Sequence, residues 1–268
     1  MLGFSAPLAF GSLVEPLCCV YDTEKTRAAV PPSAPRRRRM STDMLSVIVP
    51  TRNSEEGLAR TLSSLVSGAA EGVVREVVVV DDASTDGTRI VADAAGCTLV
   101  EASGGWCGRV AAGLAVARRA PWFLVLPPNV FLEGDWFREA ASFVERAERT
   151  GRAASTLATF RLAYDEFGWK ARLAERLQAA AQGLFGAPLR EQGLLVSAEA
   201  LMRAARSAPA DGGHAALLAA LGRPSRRLLR ADAVVLTPAG GGTSVPGVGG
   251  LFRIALAGLA PIFTGPIG

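Results

Sequence analysis

Two segments decide the fold: LSVIVPTRN (residues 45–53) and, one helix length later, REVVVVDDASTDGT (residues 75–88). Leu45–Val49 is a short apolar run rich in β-branched residues, which predicts a buried strand. Val73–Val80 predicts a second strand, and VVVV without polar alternation predicts burial on both faces. Between them Asn53 is placed to cap a helix over Ser54–Val66, with Glu55 and Glu56 in its first turn. Outward from this core, a polar turn (Asp81–Gly87) leads into a helix ending near Ala95. A strand over Cys97–Val100, a helix over Gly108–Arg119, a strand over Trp122–Leu126 and a helix over Asp135–Arg149 follow. Strands alternating with helices at this spacing predict an α/β fold with a mostly parallel sheet and flanking helices. The second half is less regular. Strands are expected over Thr156–Ala163, Gly193–Val196 and Leu228–Leu236, and helices over Glu166–Leu184, from Ala198, and over Gly213–Leu221.

The chain has 268 residues, 49% apolar and 20% charged, with 29 Gly and 16 Pro, which excludes collagen-like and wholly disordered classes. A domain of this size buries roughly 70–75% of its unfolded surface, so no disulfide or metal staple is required. The net charge of +4 invites a nucleic-acid reading, but residues 1–43 carry six basic and four acidic groups, leaving 23 and 21 in residues 44–268. The body is nearly neutral, and no nucleic-acid partner is expected. All but two of the basic residues, Lys25 and Lys170, are arginines, which together with heavy Ala and Gly usage resembles GC-rich coding. His214 is the sole histidine, and Cys18, Cys19, Cys97 and Cys107 contain no CxxC, so zinc sites built from Cys and His are excluded. Without a disulfide framework the chain suits a reducing cytoplasm.

Three regions follow. Residues 1–43 combine an apolar stretch, poor as a secretory signal, with VPPSAPRRRR, and are expected to be disordered or absent from the native protein. Residues 44–237 form the domain. Residues 238–268 begin with a Gly/Pro-rich break and end in an apolar stretch interrupted by Arg253 and prolines, too short and broken for a membrane span. That stretch leaves peripheral membrane contact open.

Ligands of open parallel sheets bind outside the carboxyl ends of the strands. After the first strand comes Pro50-Thr51-Arg52-Asn53, which is not the GxGxxG of a dinucleotide-binding turn. After the second comes Asp81-Asp82-Ala83-Ser84-Thr85-Asp86-Gly87. Ser84, Thr85 and Asp86 are good helix caps. Capping does not account for two adjacent carboxylates, and Asp82 is suited to accept hydrogen bonds from a ribose hydroxyl or a base N–H.

The two motifs, in this order and spacing, resemble the start of a family 2 glycosyltransferase with the GT-A, Rossmann-like nucleotide-sugar fold. The resemblance implies a nucleotide-diphosphate sugar as donor, with Asp81 and Asp82 in the nucleoside pocket and Pro50 and Thr51 lining it. Gly104-Gly105-Trp106-Cys107-Gly108-Arg109 matches loosely a glycine-containing stretch before a helix. Where the family carries a metal-binding DxD, this chain reads Pro127-Pro128-Asn129. Both carboxylates that would hold Mg²⁺ or Mn²⁺ are missing, which leaves Asn129 as a weak ligand and makes a divalent metal doubtful. Glu133 and Asp135 nearby read as helix start and surface. An arginine such as Arg109 or Arg190 is the alternative stabiliser of the leaving group.

The second half is similar to one bacterial branch of that family. Phe160-Arg161-Leu162 and the segment Leu184–Val196 resemble its FRL and GDQGLFV elements, with Glu191 in place of Asp and with Gln192 and Gly193 matching. The resemblance places Glu191 and Gln192 on the acceptor side. The general base expected next falls in Ala210-Asp211-Gly212-Gly213-His214, where Asp211 and His214 are alternatives. The resulting expectation is a divergent glycosyltransferase acting on a saccharide or lipid acceptor. Its rival is a catalytically silent scaffold that binds a nucleotide or a protein partner.

Overall fold

The computed structural model describes residues 44–117, 120–164, 188–222 and 224–236. The expected extension over 1–43, the helix over Glu166–Leu184, Leu184–Ala187 and the 238–268 segment lie outside the described residues. Strands β1 (Leu45–Thr51), β2 (Val74–Asp81), β3 (Thr98–Glu101) and β4 (Trp122–Val125) alternate with helices α1 (Glu55–Ala70), α2 (Thr88–Ala94) and α3 (Trp106–Val116). Then come β5 (Val130–Leu132), α4 (Trp136–Arg149), β6 (Thr156–Tyr164), β7 (Leu194–Ser197), α5 (Ala198–Ser207), α6 (His214–Leu221) and β8 (Ser225–Val235).

All eight strands join one sheet in the order β3-β2-β1-β4-β7-β6-β8-β5. β1 pairs in parallel with β2 and β4, and β2 with β3, as the alternating pattern requires. β7 runs antiparallel to both β4 and β6, and β5 antiparallel to β8, while β6 and β8 are parallel. The sheet is therefore mostly parallel, as expected. The three-residue β5 is too short for a periodicity signal, and strand direction is not encoded in periodicity at all.

Alternating side chains of the central strands feed two cores. Val47, Val49 and Val79 pack with Leu58, Leu62 and Leu65 of α1 and with Trp136, Phe137 and Val144 of α4. Ile48, Val78 and Val80 pack on the opposite face with Val110 of α3, Leu201 of α5 and Leu217 of α6. The valine run of β2 is thus covered on both sides, which is why it lacks alternation.

The exits of β1 and β2 are bound to each other. Asn53 does not cap α1 as its position suggested. Its backbone is left-handed (φ 46°), and its Oδ1 accepts from the Thr85 amide at 2.8 Å, while its own amide donates to Ser84 Oγ at 2.8 Å. Asp86 takes over at the start of both helices. Its Oδ2 accepts from the Glu55 amide (3.1 Å) and its Oδ1 from the Thr88 amide (3.1 Å). Glu55 returns the contact by accepting from the Gly87 amide at 2.9 Å. A partner 31 residues away satisfies the first amides of α1 better than the local candidate does.

Desolvation opposes ionisation of Asp86, but hydrogen bonds from the Thr88 hydroxyl and from the Glu55 and Thr88 amides outweigh it and hold the carboxyl below the usual range. An Asp86→Ala substitution is expected to cost about 1–2 kcal/mol in urea unfolding at pH 7, the scale of a lost helix cap. Because the folded pKa is depressed, that difference is full above the ordinary Asp value and narrows as the pH falls through the folded one. A gap independent of pH would contradict this role for the carboxylate.

Candidate functional site

The site lies at the carboxyl ends of β1 and β2. Pro50 and Thr51 are buried in its floor, and the Thr51 hydroxyl donates to the Val80 carbonyl at 3.2 Å. Asp81 is 1% exposed and organises the turn: one oxygen accepts from the Ser84 hydroxyl and the other from the Ser84 amide at 3.1 Å. Ala83 carries a φ of 51°, a costly conformation for a residue with a Cβ, held by these bonds. The turn leaves Asp82 half-buried beside the end of β1, its carboxylate 3.6 Å from Arg52 Nη1.

The opposite wall comes from α3 and the turn before β7. Arg109, one turn into α3, donates from Nη1 to the Thr51 carbonyl at 3.2 Å, while its Nε is buried without a partner. Burial lowers its pKa, Asp82 opposes that shift, and the positive charges of Arg190 and Arg52 reinforce it, so the four groups sense one another. The Arg190 guanidinium stacks over Trp106 at 5.3 Å from the ring centroid and pairs with Glu191 at 3.2 Å. Trp106 in turn meets the His214 ring edge-on at 6.2 Å, and its indole N–H is also buried without a partner.

The glycine-containing stretch has a direct cause. The Gly105, Cys107 and Gly108 amides donate to the carbonyls of Ala210 and Gly212 at 2.9–3.1 Å. A Cβ on Gly105 would lie 2.2 Å from the Asp211 carbonyl oxygen, and one on Gly108 2.6 Å from that of Ala210. This contact fixes the backbone of Asp211 at the start of α3 and leaves its side chain exposed. The Cys107 thiol is pushed up, first by burial and further by the nearby Asp211 charge.

His214 is bound inward. Its Nε2 lies 3.2 Å from the Pro188 carbonyl, which it can only meet as a donor, and Nδ1 is buried without a partner. Burial pushes its pKa down to about 4, against the Pro188 bond and the charge of Glu191. Gln192 is buried as well, donating to the Phe160 carbonyl (3.0 Å) and accepting from the Leu189 amide (2.9 Å), so its amide ties the turn to β6. Asn129 is elsewhere. It lines a cavity of about 640 Å³ with Asn53, Glu55, Glu56, Gly57 and Asp86 on the α1 side. Asp82, Arg109, Arg190, Glu191 and His214 are therefore linked through one another, whereas the contacts of Asn129 run to Leu236 and the α1 side.

Residues 46–181, over half of the chain, match the sequence profile of glycosyl transferase family 2. The chain belongs to that family. Its fold is similar to crystal structures of glucosyl-3-phosphoglycerate synthase from Mycobacterium tuberculosis. The complex with phosphoglyceric acid aligns at 21% identity and a TM-score of 0.54 over 85% of this chain and 82% of that one. The complex with Mg²⁺ and uridine-diphosphate gives 20%, 0.54 and the same coverage. The complex with Mn²⁺, uridine-diphosphate-glucose and phosphoglyceric acid gives 20% and 0.53 over 86% and 83%. The family expectation from residues 45–88 is thereby met, and the sheet is the GT-A-like one.

The family implies a divalent cation at residues 127–129, and the residues present do not fit one. Pro127 and Pro128 carry no side-chain ligand, and a Cβ on Gly57 would lie 2.5 Å from the Pro128 carbonyl oxygen, so that carbonyl is turned against α1. The Asn129 carbonyl accepts from the Leu236 amide at 2.9 Å. Among the described residues no three His, Cys, Asp or Glu side chains group to hold a metal ion. Among the same residues no helix is long and apolar enough to cross a membrane.

Sequence reasoning missed Trp106 as the platform for Arg190 and Arg52 as the partner of Asp82. Arg52 could have been found from its place at the end of β1. Trp106 and Arg190 are 84 positions apart, and no local pattern joins them. As the sole histidine, His214 gives a single set of imidazole signals in an NMR pH titration. Its midpoint is expected near 4, with wild-type stability falling on the order of 2 kcal/mol from pH 6.5 to 4 because the unfolded chain binds the proton first. The His214→Gln protein should lack that component. A midpoint near 6.5 would contradict the inward-bound imidazole.

Proposed function

We propose that this chain is a glycosyltransferase that takes a sugar from a nucleotide-diphosphate donor, and that arginines in place of a carboxylate-held cation receive the leaving diphosphate. The observation that carries this reading is the gathering of charged side chains at the end of β1: Asp82 lies 3.6 Å from Arg52, Arg109 donates to the Thr51 carbonyl, and Arg190 is close enough for Arg109 to feel its charge. A carboxylate beside the end of β1 suits a base N–H or a ribose hydroxyl. Guanidinium groups suit phosphate oxygens, to which their fixed forks can donate in pairs. Arg109 is held beside the end of β1 by its bond to the Thr51 carbonyl, and its buried Nε has no partner among the described residues.

In the displacement, the acceptor hydroxyl oxygen attacks the sugar C1 while the bond from C1 to the diphosphate oxygen breaks. The hydroxyl proton passes to a carboxylate, and the nucleoside diphosphate leaves with its added negative charge against Arg109 and Arg190. Asp211, exposed at the start of α3, is the better base of the two alternatives. His214 is neutral and weakly basic with one nitrogen committed to Pro188, which suits it to hold Trp106 and through it Arg190. Glu191 orients Arg190, and Gln192 positions the turn that carries both. The donor class is that of the similar synthase structures, one of which holds uridine-diphosphate-glucose. The acceptor is a hydroxyl of a saccharide or lipid.

The missing carboxylates at 127–129 favour a second reading, a silent nucleotide-binding or protein-interaction scaffold on the same fold. Calorimetry with UDP and GDP, in chelator and with Mn²⁺, together with release of nucleoside diphosphate from a panel of sugar donors, separates the two. Expected are metal-independent nucleotide binding, at least tenfold weaker in Asp82→Ala, and turnover that falls about 10²–10³-fold in Arg109→Gln. Binding without turnover across the panel would favour the scaffold. No binding of either nucleotide would sink both readings.

A further inference from the structure

A second basic feature lies away from this pocket. Arg138, Arg146, Arg227 and Arg230 line a groove of about 330 Å³ between α4 and β8, together with Ser142, Phe143 and Leu228. That volume is at the lower end of small-molecule sites. Glu139 is the only carboxylate among the described residues that line it, and it is already engaged. Its Oε2 accepts from the backbone amides of Arg230 (2.5 Å) and Ala231 (3.0 Å).

The convergence of Arg227 and Arg230 is built into the backbone. On a regular strand, residues three apart point to opposite faces. Between the pairs Thr159↔Leu228 and Arg161↔Asp232, β6 advances two residues while β8 advances four. This bulge turns both arginines toward one groove, and Glu139 satisfies the amides that it frees.

Several described arginines have a carboxylate at hand, as in Arg52–Asp82, Arg60–Glu56, Arg89–Glu101, Arg161–Asp232 and Arg203–Glu199. In the groove only Arg138 does, with Asp135 at 2.9 Å. Among the described residues Arg146, Arg227 and Arg230 have none. GC-rich coding accounts for an abundance of arginine but not for three unpaired guanidiniums gathered around one concavity. Leu228, 54% exposed, adds an apolar wall beside them.

We propose that this groove is a binding site for a phosphate-bearing anion, separate from the nucleotide pocket. Guanidinium forks pair in two-point fashion with phosphate oxygens, and bringing several together without an acid favours a multiply charged counter-ion. The groove lies against α4 at the middle of β8, where Leu228 is level, through β6, β7 and β4, with Ile48 at the centre of β1, whereas the nucleotide pocket is at the carboxyl ends. β8 is also four strands from β1, about 19 Å across the sheet. One bound donor therefore cannot fill both. The phosphate is that of a free metabolite or of a lipid headgroup, and the two sources share this chemistry.

The test uses the full chain carrying R109Q/R190Q, with and without R227Q/R230Q. Binding is measured to pyrophosphate by calorimetry and to phosphatidylcholine vesicles containing about 30% phosphatidylglycerol by sedimentation, at low salt. Because Arg109 and Arg190 are proposed to receive a diphosphate, the groove is read in the R109Q/R190Q background, where adding R227Q/R230Q is expected to weaken binding of at least one probe tenfold or more, with unchanged circular dichroism. Loss confined to pyrophosphate identifies a free phosphate, and loss confined to vesicles identifies a headgroup. Equal binding with and without R227Q/R230Q in the R109Q/R190Q background, or no binding of either probe to R109Q/R190Q, overturns the proposal whatever becomes of the nucleotide pocket.

Discussion

The structure depends most on the hydrogen-bonded union of the β1 and β2 exits. Asn53 and Glu55 on one side and Ser84, Thr85 and Asp86 on the other exchange backbone and side-chain bonds, with buried Asp81 beneath. Each bond contributes only about 1 kcal/mol net. Collectively they over-determine two left-handed residues, Asn53 and Ala83, whose conformations are unfavourable alone. That strain sets the direction of Asp82, the carboxylate left beside the end of β1. A second backbone lock, the Ala210–Gly212 segment against the glycines of α3, sets Arg109, Trp106 and Asp211 in the same way.

With both walls fixed by backbone contacts, the side chains between them can carry charge. Arg109 feels the charges of Asp82, Arg52 and Arg190, and Arg190 lies over Trp106, which His214 meets edge-on. The absence of acids at 127–129 and the presence of guanidiniums at 109 and 190 both fit the proposed cation-free reading. A pocket that lacks a cation needs fixed positive charge to accept a diphosphate, and arginine remains charged at every physiological pH.

Much of this was legible in the sequence. The apolar runs of β1 and β2 and the alternation of strands with helices fix the fold class, because a doubly covered strand leaves no room for polar alternation. Asp82 was singled out because capping does not account for a second carboxylate, and the structure leaves it half-buried beside Arg52. Asn53 was misread as a cap, since its partners Ser84 and Thr85 lie on another loop and local rules cannot see them. The Arg190–Trp106 stack and the paired direction of Arg227 and Arg230 were hidden for related reasons. One joins distant segments, and the other depends on a bulge that breaks the period of two on which strand reading rests.

The central claim, that arginines rather than a cation hold the diphosphate, is tested most directly by the affinity gained when a nucleoside acquires its diphosphate. Dissociation constants for uridine and UDP, and for guanosine and GDP, would be compared in chelator for wild type and R109Q/R190Q. The account predicts that the wild type binds the diphosphate at least tenfold more tightly than its nucleoside, and that this gain collapses in the variant while nucleoside binding is kept. A gain that survives in R109Q/R190Q, or that arises only after Mn²⁺ is added, would contradict it.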